Sequence, residues 1–451
     1  MGVSVGRVAR CLLLLTMILV VWSAGTLSAQ QRRGGGRAVW QTPGSRVALG
    51  YAADLFLPGR GEWSTTPVAL DNLDLLLHLD LQEVVGLPGT SFRVQVQSNR
   101  GDPVSGEVGD LQGISNLEAP REWRLYEAWV EQEIGSPRVS LLAGVRDINA
   151  DFDVIPAAGD FLNGSFGFGA EYSHSGAAGP STYPATALAA RLRVETLFGF
   201  YGLLGASDGL PGPPGEFDFS LGGDEGALLS AEIGYAHSPA DPQPVPRAIG
   251  RREGRGRGRG IGAGGPGRQR RRIGRGRLIQ EVGSKIAAGG WVYTRRFPSW
   301  GPGGLEKRSW GLYLLGEHGL YRDPDGTEEL SGFARIGTAA DAVNRLHLSL
   351  GGGLVYQGLF SGRPDDVVGL GMAHARNGSP YLRKRQEEGS PLERAETVLE
   401  LTYRAEVGPL FVIQPDLQWV KNPGMIPGKQ NALVFGLRGY VLLEWPPGDS
   451  S

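Results

Sequence analysis

A few short stretches of the chain carry residues with chemistry to offer. In "WRLYEAWVEQEI", Glu127, Trp129 and Glu131 recur at every second position. "RVSLLAGVRD" closes on Arg146 and Asp147, with Asn149, Asp151 and Phe152 just beyond. Arg93 and Gln95 alternate in "SFRVQVQSN", Arg191 and Arg193 in "ALAARLRVE", Glu400 and Arg404 in "ETVLELTYR", and Asp416 and Gln418 in "FVIQPDLQWV". Carboxylates, guanidiniums and amides on one face exchange charge-assisted hydrogen bonds readily with water and with solute hydroxyls, and aromatic faces give a solute a surface to slide along. The inventory argues against an enzyme. His78, His174, His237, His318, His347 and His374 are scattered, and none stands in a recognisable nucleophile setting. The sequence holds no G-x-S-x-G elbow and no H-E-x-x-H. The single cysteine, Cys11, sits in the N-terminal leader, which leaves the body without a disulfide, a thiol nucleophile or a thiolate metal site. No catalytic residue, metal or cofactor is expected.

The elements that must position these residues are written in period two. In "LDLLLHLDLQ", Leu73, Leu75, Leu77, Leu79 and Leu81 fall on one face and Asp74, His78, Asp80 and Gln82 on the other, with Leu76 the exception. The stretches quoted above do the same, with Phe92, Val94, Ile413 and Trp419 among the apolar partners. Alternation of this kind means strands with one apolar and one polar face. Many of the runs reach ten or more residues, whereas strands of soluble proteins average about five or six. Strands of roughly 9–11 residues suit a bilayer crossed at a tilt, with the apolar face toward lipid and the polar face toward a wet lumen. Export fits this reading. Arg7 and Arg10, the apolar run Cys11–Trp22 and the small residues of "SAGTLSAQ" have the layout of a signal peptide over residues 1–29, cleaved after Ala29. The fold class predicted is all-β, a transmembrane antiparallel barrel.

Several co-ordered stretches resemble the carbohydrate-selective porin family, the OprB type. They are "DLQGISNLEAPREWRLYEAWVEQEI", "LLAGVRDINADFDVIPAAGDFLNGSFG" and "YPATALAARLRVE". Toward the other end "GLFSGRPDDVVGLGM", "LELTYRAEVGPLFVIQPDLQWVKNPG" and "NALVFGLRGYVLLEW" join them. The resemblance runs from about Gly50 to Trp445, with the basic segment described below left out. It implies an outer-membrane barrel of about sixteen strands that passes mono- or oligosaccharides by passive diffusion, as a monomer or a homotrimer. A general or anion-preferring porin, or a tether that uses the barrel only as an anchor, are the alternatives. Alternation and resemblance together single out Arg146 and Glu127 at the constriction. Trp129, Glu131, Asp147, Asp151, Phe152, Arg93, Gln95, Arg191 and Arg193 come next along the substrate path, with Glu400, Arg404, Asp416 and Gln418 across the barrel. The connection Asn149–Pro184 is long enough to fold into the lumen and narrow it.

Counting strands from both ends gives a lead segment over residues 30–44, a barrel over 45–445 and a tail over 446–451. Connections after odd strands are mostly long and face outside, while those after even strands are mostly short and periplasmic. The exception, 239–283, follows the eighth strand. It holds "GRREGRGRGRGIGAGGPGRQRRRIGRGR" (Gly250–Arg277), and the twelve arginines and one glutamate from Arg247 to Arg277 carry +11. The leader adds +2, so with a whole-chain charge of −2 the rest of the chain stands at −15. In an exported protein this segment meets no nucleic acid. It reads as a disordered periplasmic turn. It is either without a partner or attached electrostatically to anionic cell-wall polymer or lipid.

Overall fold

The computed structural model describes residues 44–445 apart from 61, 64–66, 136–137, 213–225, 238–282, 302–304, 325–326 and 408–410. The signal peptide, the lead segment, the Arg/Gly-rich insertion and the C-terminal tail inferred from sequence lie outside the described residues.

One antiparallel sheet of seventeen strands closes on itself, and the two-residue strand Glu62–Trp63 merely prolongs the first hairpin, which leaves sixteen barrel strands. They are β1 Ser45–Arg60, β2 Val68–Asp80, β3 Thr90–Gly101, β4 Trp123–Ile134, β5 Arg138–Arg146, β6 Ala187–Glu195, β7 Phe200–Asp208 and β8 Ala227–His237, then β9 Ser284–Pro298, β10 Glu306–Arg322, β11 Glu329–Ala339, β12 Leu346–Gln357, β13 Val367–Asn377, β14 Ala395–Glu406, β15 Phe411–Lys421 and β16 Ala432–Trp445. Closure is made by β1, which pairs with β2 from Ser45↔Leu79 onward and with β16 from Val47↔Trp445 onward. Arg438 of β16 and Asp54 of β1 add a two-pronged ion pair across this seam, 2.6 and 2.7 Å long.

The period-two pattern sets the facing. Leu75, Leu401, Leu417, Trp419 and Phe435 are exposed on the outer wall, while Asn72, Gln95, Gln97, Glu400, Asp416 and Gln418, which alternate with such residues, are buried inside. Local chemistry trims the pattern. β2 starts at Val68, ahead of the alternating run that begins at Leu73, and it stops at Asp80, short of Gln82. Asp80 accepts a hydrogen bond from the Gln82 amide and caps a short helix, α1 (Leu81–Val85), which Gly86 ends at φ 78°. Leu81 and Gln82 therefore belong to a turn. In β4 the register slips by one residue opposite Gln95 and Val96. The bulge leaves Arg124 and Glu127 both buried although they are an odd number of residues apart.

The lumen is not empty. The connection between β5 and β6 folds inward, and its Phe152, Ile155, Phe161, Phe166 and Tyr172 join one apolar cluster with Trp291, Tyr313 and Phe333 of the far wall. Phe161 stacks on Phe166 at 4.4 Å and Tyr172 on Trp291 at 5.0 Å. Burial of several large rings helps hold this connection against the wall.

Candidate functional site

On β2–β6 the inward polar residues form a continuous ladder of alternating charge. Asp74 accepts a 2.8 Å hydrogen bond from the Gln95 amide, and Gln95 in turn accepts one of 2.7 Å from Arg93. Arg93 lies 3.3 Å from Glu127 Oε2, and the other oxygen of that carboxylate accepts 2.9 Å from Arg146 Nη1. The Trp129 indole N–H donates to Glu127 at 3.2 Å, and the Arg146 guanidinium sits over the Trp129 ring at 5.2 Å. Arg146 Nε reaches Asp151 at 3.0 Å, Arg191 approaches the other Asp151 oxygen at 3.3 Å, and Arg191 Nη2 donates 2.8 Å to Glu131. Beyond Asp74, whose partner is the Gln95 amide, the ladder is three guanidiniums against three carboxylates, with Trp129 as its aromatic face. Its members differ in access. The Arg93 side chain is 31% exposed and that of Glu131 20%, whereas Glu127 at 3% and Asp151 at 6% lie behind them. Arg93 and Glu131 have the most access, one donor and one acceptor group, while Arg146 at 12% and Arg191 at 7% lie further back.

The structure brings together Arg146, Glu127, Trp129, Glu131, Asp151, Arg93, Gln95 and Arg191. Arg193 stands one step further along β6, paired with Glu195 and over the Tyr201 ring at 5.5 Å. Asp147 turns away from the ladder. It accepts from the Tyr126 hydroxyl and, at 2.8 Å, from the Asn149 amide, and so starts the inward connection. Phe152 packs against Gly205 of β7, where a Cβ would come within 2.7 Å of its ring.

The residues across the barrel do other work. Glu400 accepts from the backbone amides of Leu162 and Asn163 at 2.6 and 3.0 Å. Gln418 accepts 3.1 Å from the Asn163 side chain and donates 2.9 Å to both Ile114 O and Asp416. Arg404 pairs with Glu406 at 3.0 Å. These four are not neighbours of the ladder; three of them hold connections in place or support a residue that does.

Sequence reasoning missed the strongest such anchor. Arg335 of β11 donates two 2.7 Å hydrogen bonds to the Asp153 carboxylate, another of 2.7 Å to Glu171 and one of 2.8 Å to Ser349. Tyr313 and the Asp153 amide meet on Glu232 of β8 at 2.6 and 3.0 Å. Arg335 does alternate with apolar neighbours in "SGFARIGTA", but nothing in the sequence sets it apart from other inward arginines. Asp74 and His78 were visible in the alternation and were passed over; His78 meets Trp129 edge-on at 6.4 Å.

Among the described residues no group of three or more His, Cys, Asp or Glu gathers in a metal-binding arrangement. Outer connections also carry titrating groups. Burial, with the Asp110 charge beside it, pushes the Glu118 carboxyl up to about 7, although Ser105 and the Ser115 amide donate to it. Burial takes Asp110 itself to about 6.

Comparison with known proteins agrees with this architecture. The chain is 25% identical over 411 residues to Porin B of Pseudomonas aeruginosa, covering 82% of this chain and 80% of that protein. Its fold superposes on the high-pH structure of Pseudomonas putida OprB with a TM-score of 0.72 at 20% identity, covering 89% of this chain and 94% of the other. The low-pH structure of the same protein gives a TM-score of 0.52 at 16% identity, covering 89% and 93%. The family model described as "Carbohydrate-selective porin, OprB family" matches residues 65–441, and with most of the chain inside that match this protein belongs to the OprB family of carbohydrate-selective porins.

Proposed function

We propose that neutral sugars cross the outer membrane along the β2–β6 wall of this porin, and that Arg146 and Glu127 make the selective step. Arg93, Gln95, Trp129, Glu131, Arg191 and Arg193 flank them on the path. The observation that carries this reading is charge balance. Each guanidinium of the ladder is matched by a carboxylate within hydrogen-bonding reach. Matched charges generate little net field to draw ions of one sign, yet they keep strong donors and acceptors in place for hydroxyl groups. A wall of this kind suits an uncharged, hydroxyl-rich solute better than an anion. The fold and family are those of a channel, and catalysis forms no part of the reading.

Conductance of the purified barrel in planar bilayers tests it. Glucose or maltose should reduce the current through the native protein, and Arg146→Ala or Glu127→Gln should change both that block and the ion preference while the barrel still assembles. Ion flow without any sugar block would favour a general porin, and absence of conductance a tether. The Arg/Gly-rich insertion is proposed to bind anionic cell-wall polymer from the periplasmic side. Its deletion (Gly250–Arg277) should leave transport intact and abolish retention on that polymer at low salt. Equal retention of both forms removes the partner.

A further inference from the structure

At the end of β9 and the start of β10 two arginines face each other. The register pairs Arg296 directly with Arg308, Phe297 with Lys307 and Pro298 with Glu306. Facing follows from the neighbours. Ser309 is buried and donates to Asn344, Gly311 lies under the inward Trp291 ring, and Trp310, Leu312 and Leu314 are exposed on the outer wall. Arg308 alternates in phase with Trp310 and points outward. Phe297 is buried and meets Tyr293 edge-on inside the barrel, so Arg296 points outward too. Both arginines are exposed. Among the described residues neither has an ion pair.

Directly opposed residues bring their Cβ atoms to about 4.5–5.5 Å, and like charges at that separation oppose strand pairing unless something anionic lies between them. The setting says what that is. The β9–β10 connection follows an odd strand and so lies at the end that carries the long inward-folding connections, the outer end by the loop-length rule. Trp310 marks the interfacial girdle, and Arg308 stands two residues beyond it, roughly 6.5 Å further out along the strand. That is the level of the lipid head groups of the outer leaflet.

We propose that Arg296 and Arg308 form a binding site for the phosphate of an outer-leaflet lipid head group, held on the outer wall of the barrel and independent of the channel. Two guanidiniums present paired donors of the geometry that phosphate oxygens accept. The leucines below them give the acyl chains an apolar wall. Glu306, on the same face two residues from Arg308, weakens the site and limits how tightly a lipid is held.

Native mass spectrometry of the purified barrel tests this with three probes: diphosphoryl lipid A, the same lipid stripped of phosphate, and inorganic phosphate. The native protein should retain the phosphorylated lipid in preference to the stripped one. Arg296→Gln together with Arg308→Gln should lower that retention roughly tenfold, and Glu306→Gln should raise it. Conductance and sugar block should not change in any of these variants, which also shows that they assemble. Equal retention by the native and doubly substituted barrels overturns the proposal, and so does equal retention of phosphorylated and stripped lipid by the native barrel alone. Inorganic phosphate displacing the lipid at equal concentration would overturn it as a lipid site.

Discussion

The two walls of the lumen are built from the same alternation and do opposite things with it. On β2–β6 the inward charges bind one another, and Arg93 and Glu131 keep a face toward water. On β8–β15 the inward charges are spent on the chain itself. Arg335 and Glu400 hold the inward connection by its carboxylates and its backbone amides, and the side chains of Glu400 and its neighbour Gln418 are fully buried. A polar residue facing the inside of a barrel is therefore no indication of a wet surface. The connection folds over the far wall, while it meets the ladder through Asp151, held by Arg146 and Arg191.

The largest effect should come from the closed wall. Arg335→Ala leaves Asp153 and Glu171 buried without a cation, a change that costs about 3–5 kcal/mol in comparable buried pairs. The cost falls on the docking of the connection, because the barrel seam is elsewhere. Conductance should rise, sugar block should fall, and limited proteolysis should cut between Asp147 and Thr186 while the barrel keeps its folded mobility on gels. A variant that resists proteolysis as well as the native protein would show that the aromatic cluster alone holds the connection.

Glu400→Ala should act in the same direction with a smaller effect. It removes the acceptor of two buried amides, roughly 2–4 kcal/mol of anchoring. Glu400→Gln keeps an acceptor and should recover most of it. Hydrogen exchange at Leu162 and Asn163 reads the difference directly, and equal protection in the native protein and the alanine variant would contradict the anchoring role.

The open wall should behave otherwise under the same substitution. In Arg146→Ala, Glu127 keeps Arg93 and Trp129, and Asp151 keeps Arg191, so no carboxylate is abandoned. The loss of stability should be smaller than in Arg335→Ala, while block by sugar and ion preference change. Thermal unfolding of Arg146→Ala and Arg335→Ala side by side sharpens the contrast. Equal destabilisation by both would mean that the ladder is as structural as the anchor.

Much of this was legible in the sequence, and the limit is physical. The strands and their facing follow from period two, because each strand carries its own record of which side meets lipid, while about sixteen strands in a closed barrel was what the resemblance implied. Arg146 and Glu127 were singled out because alternation and the resemblance agree on them. The bulge at β4 and the helix after Asp80 were not foreseen, since each depends on one local hydrogen-bonding choice. Asp147 was read as lining the path and instead caps a turn. Arg335, Asp153 and Glu171 form one network, yet Arg335 lies more than 160 residues from both carboxylates. No local pattern announces a partner at that separation.

A pH-dependent effect is expected in the connection between β3 and β4, which reaches across to β14 and β15. Its Ile114 carbonyl meets Gln418, and its Leu111 amide donates to Glu396 of β14 at 3.0 Å. Within it Glu118 accepts from Ser105 and from the Ser115 amide, and the carboxyls of Glu118 and Asp110 stand up at about 7 and about 6. A carboxyl whose proton is held more tightly in the folded form stabilises that form fully below the ordinary carboxylate range, and the contribution is lost as pH rises through the raised value. The connection should therefore be docked more firmly near pH 4 than near pH 8. Water reaches these half-buried groups, so the difference should be roughly 1–2 kcal/mol. Hydrogen exchange at Gly113 and Ile114 should slow, relative to its intrinsic rate, as pH falls across that window. Glu118→Gln, which keeps an acceptor but carries no charge, should reduce the pH dependence to what Asp110 contributes. Protection that rises with pH would mean that charged Glu118 is the better anchor.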